Sequence, residues 1–149
     1  LDVNLKGAFW GCQAASARLV EGGSIINISS LAGKRGSANN SAYCAAKFGV
    51  NGLTQSLAKE LGPQGIRVNA LCPVYVRTPG VMSALLQPAA PPGGNSVDDY
   101  LEEFVAANTA LRRLPTGSEI ANTCLFLASS ASSAITGQCI NVDCGVLPQ

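Results

Sequence analysis

Three side chains in one short stretch carry the most legible chemistry of this sequence. The stretch runs from Ser30 to Lys47, SLAGKRGSANNSAYCAAK, with Ser30 at the end of an apolar run, Tyr43 thirteen residues later and Lys47 four further on. Tyr43 and Lys47 at i and i+4 share a helix face, so a phenol and an ammonium converge on one point. A free phenol has a pKa of about 10, and a cation beside it favours the phenolate. Such a pair passes a proton to or from an oxygen atom, and a serine hydroxyl at a strand end supplies a hydrogen bond to the same atom.

Other chemistries are excluded or weakened by what surrounds this stretch. The sequence has no histidine, which removes His-based metal sites and every Ser-His-Asp or Cys-His arrangement. Its six cysteines form no CxxC pair and most lie inside apolar runs, as expected of reduced, buried thiols in a cytoplasmic protein. Ser56-Leu57-Ala58-Lys59 matches S-x-x-K, but it falls in mid-helix without the motifs that accompany it in penicillin-binding enzymes. Asp98, Asp99, Glu102 and Glu103 read as the solvated start of a helix rather than a metal site, and Arg112-Arg113 reads as a surface pair. Ten Lys and Arg against nine Asp and Glu leave a net charge of +1 with no basic run longer than a pair, so nucleic acid is not an expected partner. No apolar run approaches the roughly 18 residues of a membrane span, and the chain does not open on a signal-peptide pattern. The sequons at Asn27 and Asn39 are discounted accordingly.

The elements that must hold Ser30, Tyr43 and Lys47 follow from periodicity. At 149 residues, 47% of them apolar, the chain is one domain's worth with material for a core. Leu5, Ala8, Phe9, Cys12, Ala15 and Leu19 recur at helical spacing up to Gly22-Gly23. Residues 24–30 form a buried strand. Ala42, Ala46, Val50, Leu53, Leu57 and Leu61 mark one face of a long helix stopped by Gly62-Pro63. A second strand covers 66–71. Residues 79–96, with four prolines and Gly93-Gly94, read as a long loop. A helix over 97–110 follows, then one capped by Ser118 with Ile120, Ala121, Cys124, Leu125 and Leu127 turned inward, and a third strand over 137–142. Strands separated by helices imply a parallel sheet of the α/β class with ligands at the C-terminal strand ends.

Taken with Asn4, which lies 26 residues before Ser30, and with Ile66-Arg67-Val68-Asn69, Pro73, Thr78 and Ile135-Thr136-Gly137-Gln138, the chain resembles the short-chain dehydrogenase/reductase family over nearly its whole length. The resemblance implies a partial doubly wound, Rossmann-like sheet of about three strands with flanking helices, residues 1–149 forming a single partial domain. It implies a catalytic tetrad of Asn4, Ser30, Tyr43 and Lys47 and NAD or NADP as cofactor, held by Tyr43, Lys47, Pro73, Val76 and Thr78. Tyr43 is then the general acid/base, Lys47 also holds the ribose hydroxyls, Ser30 bonds the substrate oxygen, and Asn4 anchors a water that links Lys47 to solvent. The substrate is a small alcohol or ketone; polyols and sugars, 3-oxoacyl thioesters and steroid-like ketones all stay open, with the 79–114 region as substrate loop or lid.

Two departures accompany the resemblance. No G-x-G-x-x-G turn occurs, so the pyrophosphate cradle and the residue that selects NAD or NADP belong to an N-terminal half outside these residues. Val74 stands where the family usually has glycine. The expectation is a catalytic-side fragment with an apolar sheet edge, inactive by itself and homo-oligomeric in its full-length form. The alternative is a non-catalytic chain that associates with a full-length relative through its first two helices.

Overall fold

The computed structural model describes residues 1–148. Its centre is a three-stranded sheet ordered β1 (Ser24–Ile28), β2 (Arg67–Pro73), β3 (Cys139–Val142), parallel throughout. Five helices surround it: α1 (Gly7–Ser16), α2 (Ser41–Leu61), α3 (Pro79–Leu85), α4 (Val97–Asn108) and α5 (Gly117–Ala128). The arrangement is the Rossmann-like α/β class. Among the described residues no helix is long and apolar enough to cross a membrane.

Strand alternation assigns the two faces of the sheet. Ile25 and Val68 pack with Cys12 of α1 and Ala58 and Leu61 of α2, so one face is covered by α1 and α2. Asn27, on the same face, donates from Nδ2 to Thr54 Oγ1 of α2 at 2.9 Å and accepts from the Cys12 thiol at 3.3 Å. The opposite face meets the C-terminal end of α5. There Ser24 Oγ donates to the Leu127 carbonyl at 3.0 Å, and the Arg67 guanidinium donates to the Leu127, Ser129 and Ser132 carbonyls and to Ser132 Oγ. A cation at a helix C-terminus also meets the negative end of the helix dipole.

Several boundaries differ from the sequence expectation. The chain begins in a π-helical turn, Asp2–Lys6, and α1 stops at Ser16 rather than at Gly22-Gly23. Leu19 still packs on the α1–α2 cluster from the turn beyond the helix, which is why its spacing resembled a continuing helix. Phe9, expected on the inner stripe, is exposed. The expected loop over 79–96 holds a helix instead: Thr78 Oγ1 accepts from Val81 N at 3.2 Å and Pro79 occupies the first turn of α3, a position where proline's missing N–H costs nothing. Leu85 of α3 and Val97 and Leu101 of α4 then build a separate apolar cluster with Tyr75, Val81 and Met82. The cap of α5 is Thr116, not Ser118, with Glu119 completing a capping box. Of the inward residues expected on α5 only Leu127 is buried, and Leu125 is exposed.

Candidate active site

Ser30 follows β1 and opens a 3-10 turn, Leu31–Gly33, its Oγ accepting from Ala32 N at 3.1 Å. That bond uses the oxygen as acceptor and leaves the hydroxyl proton free to donate. The turn sits hard against α2. A Cβ on Gly33 would fall 2.7 Å from the Lys47 carbonyl oxygen, so only glycine allows the approach. Asn51 Nδ2 donates to the Gly33 carbonyl at 2.8 Å, and Ser29 Oγ donates to the Lys47 carbonyl at 3.2 Å. Ser30 is thereby held in register with the first turns of α2, which carry Tyr43 and Lys47.

Tyr43 is 37% exposed, and its ring lies 5.5 Å from Lys47 Nζ. Lys47 is buried, at 8% exposure, with Nζ donating to the Ile28 carbonyl at 2.9 Å. Burial pushes the Lys47 ammonium below the usual lysine range, and the charge of Cys72 acts in the opposite sense. The Cys72 thiol is itself lowered, chiefly by its hydrogen bond with Cys139 and further by the charge of Lys34, against a burial effect that raises it.

Ser30 and Tyr43 line one cavity of about 490 Å³ together with Arg35, Val74, Tyr75 and Leu85. Its outer wall is stiffened by aromatic packing. Tyr75 and Tyr100 hydroxyls are 3.0 Å apart, and Tyr75 stands edge-on to Phe104 with centroids at 5.0 Å. Burial, and then the Tyr100 hydroxyl, push the Tyr75 phenol well above its ordinary value.

Ser30, Tyr43 and Lys47 are thus brought together. The other expected site residues are placed differently. Asn4 lies exposed in the opening π-helical turn, and its side chain makes no hydrogen bond with a described residue. That turn nonetheless packs on α2, with Leu5 filling the space above Gly49. Pro73 ends β2 opposite Val142. Val76 lines a second cavity of about 550 Å³ with Arg77, Leu101 and Arg112, while Thr78 caps α3. Arg35 and Tyr75 were not singled out as site residues from the sequence. The available signal for Arg35 was a cation inside the connection from Ser30 to Tyr43; nothing local marked Tyr75.

A family model described as enoyl-(acyl carrier protein) reductase matches residues 1–147. Diacetyl reductase [(S)-acetoin forming] of Staphylococcus aureus is 40% identical over 147 residues, which are 97% of this chain and 56% of that protein. Among solved structures, sorbitol-6-phosphate 2-dehydrogenase of Erwinia amylovora superposes with a TM-score of 0.89 at 37% identity, covering 99% of this chain and 58% of that one. Carveol dehydrogenase of Mycobacterium avium, solved in complex with NAD, gives 0.88 at 36% identity, covering 97% and 54%. The chain therefore spans about half the length of the relatives it matches. With a parallel α/β sheet, the Ser30–Tyr43–Lys47 cluster at its rim and a family match along almost every residue, this chain belongs to the short-chain dehydrogenase/reductase family.

Proposed function

We propose that this chain is the catalytic-side portion of an NAD- or NADP-dependent oxidoreductase that interconverts a small alcohol and a ketone. The observation that carries this reading is the shared cavity of Ser30 and Tyr43 with the Lys47 ammonium 5.5 Å from the tyrosine ring. A ketone oxygen placed in that cavity takes a hydrogen bond from Ser30 Oγ and the proton of Tyr43 Oη; in the reverse direction Tyr43 removes the alcohol proton. Lys47 places its ammonium 5.5 Å from the centroid of the Tyr43 ring, beside the group that exchanges the proton.

The residues present fit one end of a dinucleotide. Lys47 spends one N–H on the Ile28 carbonyl and keeps two for ribose hydroxyls. Pro73 ends β2, and Val76 and Thr78 follow its C-terminal end, where ligands of open α/β sheets lie. The glycine-rich pyrophosphate turn of the family is not among these 149 residues. When bound, the nicotinamide supplies or accepts the hydride. Asn4 takes its role through a water in the same scheme, and residues 79–114, which hold α3 and α4, form the substrate-loop or lid region.

The test compares two proteins, this chain alone and this chain extended by the dinucleotide-binding half of a relative, assayed for NADH and NADPH oxidation on a panel of ketones. The chain alone turns over no ketone. The extended chain does, and Tyr43→Phe lowers its turnover by about 100-fold or more. Turnover that survives Tyr43→Phe refutes the assignment.

A second reading draws on the exposed Phe9 and Trp10 of α1 and Phe48 of α2. Large apolar side chains on adjoining helices suit an interface, either between copies of the full-length form or between this chain, acting without catalysis, and a full-length relative. Size-exclusion chromatography alone and with such a relative decides it; a monomer in both cases argues against it.

A further inference from the structure

Arg35 is the one arginine of six whose guanidinium makes no hydrogen bond or ion pair with a described residue. Arg18 and Arg112 bond helix carbonyls, Arg67 bonds the end of α5, and Arg77 and Arg113 pair with Asp98 and Glu119. Arg35 instead lines the cavity of Ser30 and Tyr43, and no Asp or Glu is among the residues that line it. It is the single charged side chain of that lining, which otherwise consists of apolar residues and neutral polar ones.

Its position is also tied to Ser30. Arg35 N donates to the Leu31 carbonyl at 3.0 Å and Gly33 N to the Ser30 carbonyl at 2.9 Å, so one short turn fixes both residues. The half-buried Tyr75, whose hydroxyl lies 3.0 Å from that of Tyr100, lines the same cavity. A planar fork of N–H donors in a cavity with no carboxylate among its described lining residues favours a carboxylate or phosphate, which it can take bidentately.

We propose that the substrate is an anionic ketone or alcohol, whose carboxylate or phosphate is met by Arg35 while its carbonyl or hydroxyl lies against Ser30 and Tyr43. The proposal rests on the oxidoreductase reading of that cavity and adds the substrate's charge class to it. Val74, Val81 and Leu85 line the same cavity and suit a short hydrocarbon spacer between the two polar ends.

The test titrates the 149-residue chain with two matched pairs, levulinate against 2-pentanone and dihydroxyacetone phosphate against dihydroxyacetone, with binding read from the NMR signals of the Tyr43 ring. The anionic member of at least one pair binds about 10-fold more tightly or better. That preference falls to about unity in Arg35→Gln, which leaves the neutral member unaffected, and partly returns in Arg35→Lys. The responding pair identifies the anion as carboxylate or phosphate. Equal affinities within both pairs, a preference that survives Arg35→Gln, or titrations that leave Tyr43 unmoved overturn the proposal. Turnover of the same probes by the extended chain separates the two claims. Turnover without anion preference sinks the Arg35 site and spares hydride transfer, whereas an Arg35-dependent preference without turnover supports the site and sinks hydride transfer.

Discussion

Replacing Gly33 by alanine tests the contact that holds Ser30 against α2. The added Cβ lies 2.7 Å and 2.8 Å from the Lys47 carbonyl oxygen and carbon, and 2.8 Å from Ser29 Oγ. Two of these are backbone atoms of a helix interior and cannot swing aside. Relieving the overlap by moving the turn costs about 1–3 kcal/mol, as overpacking of a filled interior does. It also strains the 2.8 Å bond from Asn51 Nδ2 to the Gly33 carbonyl, worth about 1 kcal/mol when lost. The expected destabilisation is about 3 kcal/mol, a fall in Tm of roughly 9 °C for a chain of this size. Urea and thermal unfolding followed by far-UV circular dichroism measure it. Two other glycines bracket the result. Gly36 and Gly52 have open space where a Cβ would go, so Gly36→Ala stays within about 0.5 kcal/mol of the parent. Gly52→Ala, in mid-α2, gains about 0.5–1 kcal/mol through helix propensity. A Gly33→Ala protein as stable as the Gly36→Ala control would refute the close approach and with it the proposed register of Ser30 on Tyr43.

Two further outcomes follow from the far side of the sheet and from α5. Arg67→Met removes the donors to Leu127, Ser129 and Ser132 and lowers stability by about 3 kcal/mol, since charge-assisted bonds to partly buried carbonyls are lost together; a change below about 1 kcal/mol in urea titration counts against it. Glu119 is held down to about 2 by the Arg113 guanidinium and by Thr116, so the unfolded chain binds its proton first as pH falls. The stabilisation is complete above about pH 4.5, the ordinary carboxylate range, and disappears as pH approaches 2. Glu119→Gln flattens that acid limb, and added salt shrinks the difference because the pair is exposed. An acid limb unchanged in Glu119→Gln refutes the assignment.

Much of the architecture was legible before the structure because its signals are local. The 3.6-residue stripe from Ala42 to Leu61 and the Gly62-Pro63 stop define α2 within a residue, and the alternation of strands with helices implies the parallel order found. The convergence of Tyr43 and Lys47 is likewise a property of i,i+4 spacing. Helix α3 was missed because a run containing four prolines reads as loop, although Thr78-Pro79 is itself a helix-start signal and the other three prolines fall beyond Leu85. The same competition misplaced the cap of α5: Thr116 and Ser118 both offer a hydroxyl, and only the glutamate three residues after Thr116 distinguishes them. Cavity membership was out of reach for Arg35 and Tyr75, since it depends on how β2, α3 and the 3-10 turn meet, which no window of sequence encodes. Asn4, Val76 and Thr78 entered through resemblance alone, and their side chains stand apart from the cavity of Ser30 and Tyr43.

The order of the sheet has a consequence during synthesis. The central strand β2 borders β3, and the bond from Gln138 N to Asn69 Oδ1 closes across 69 residues. At about 5–20 residues per second on a ribosome, β2 waits on the order of 3–14 s for that neighbour. During this time Val68, Ala70, Leu71 and Cys72, which end almost wholly buried, have one finished edge and one open one, and Arg67 lacks every acceptor it later bonds. An apolar strand with an open edge is the form most prone to pair with another chain. Nascent copies of this polypeptide are therefore expected to engage holdase chaperones from the emergence of β2 until β3 has left the exit tunnel.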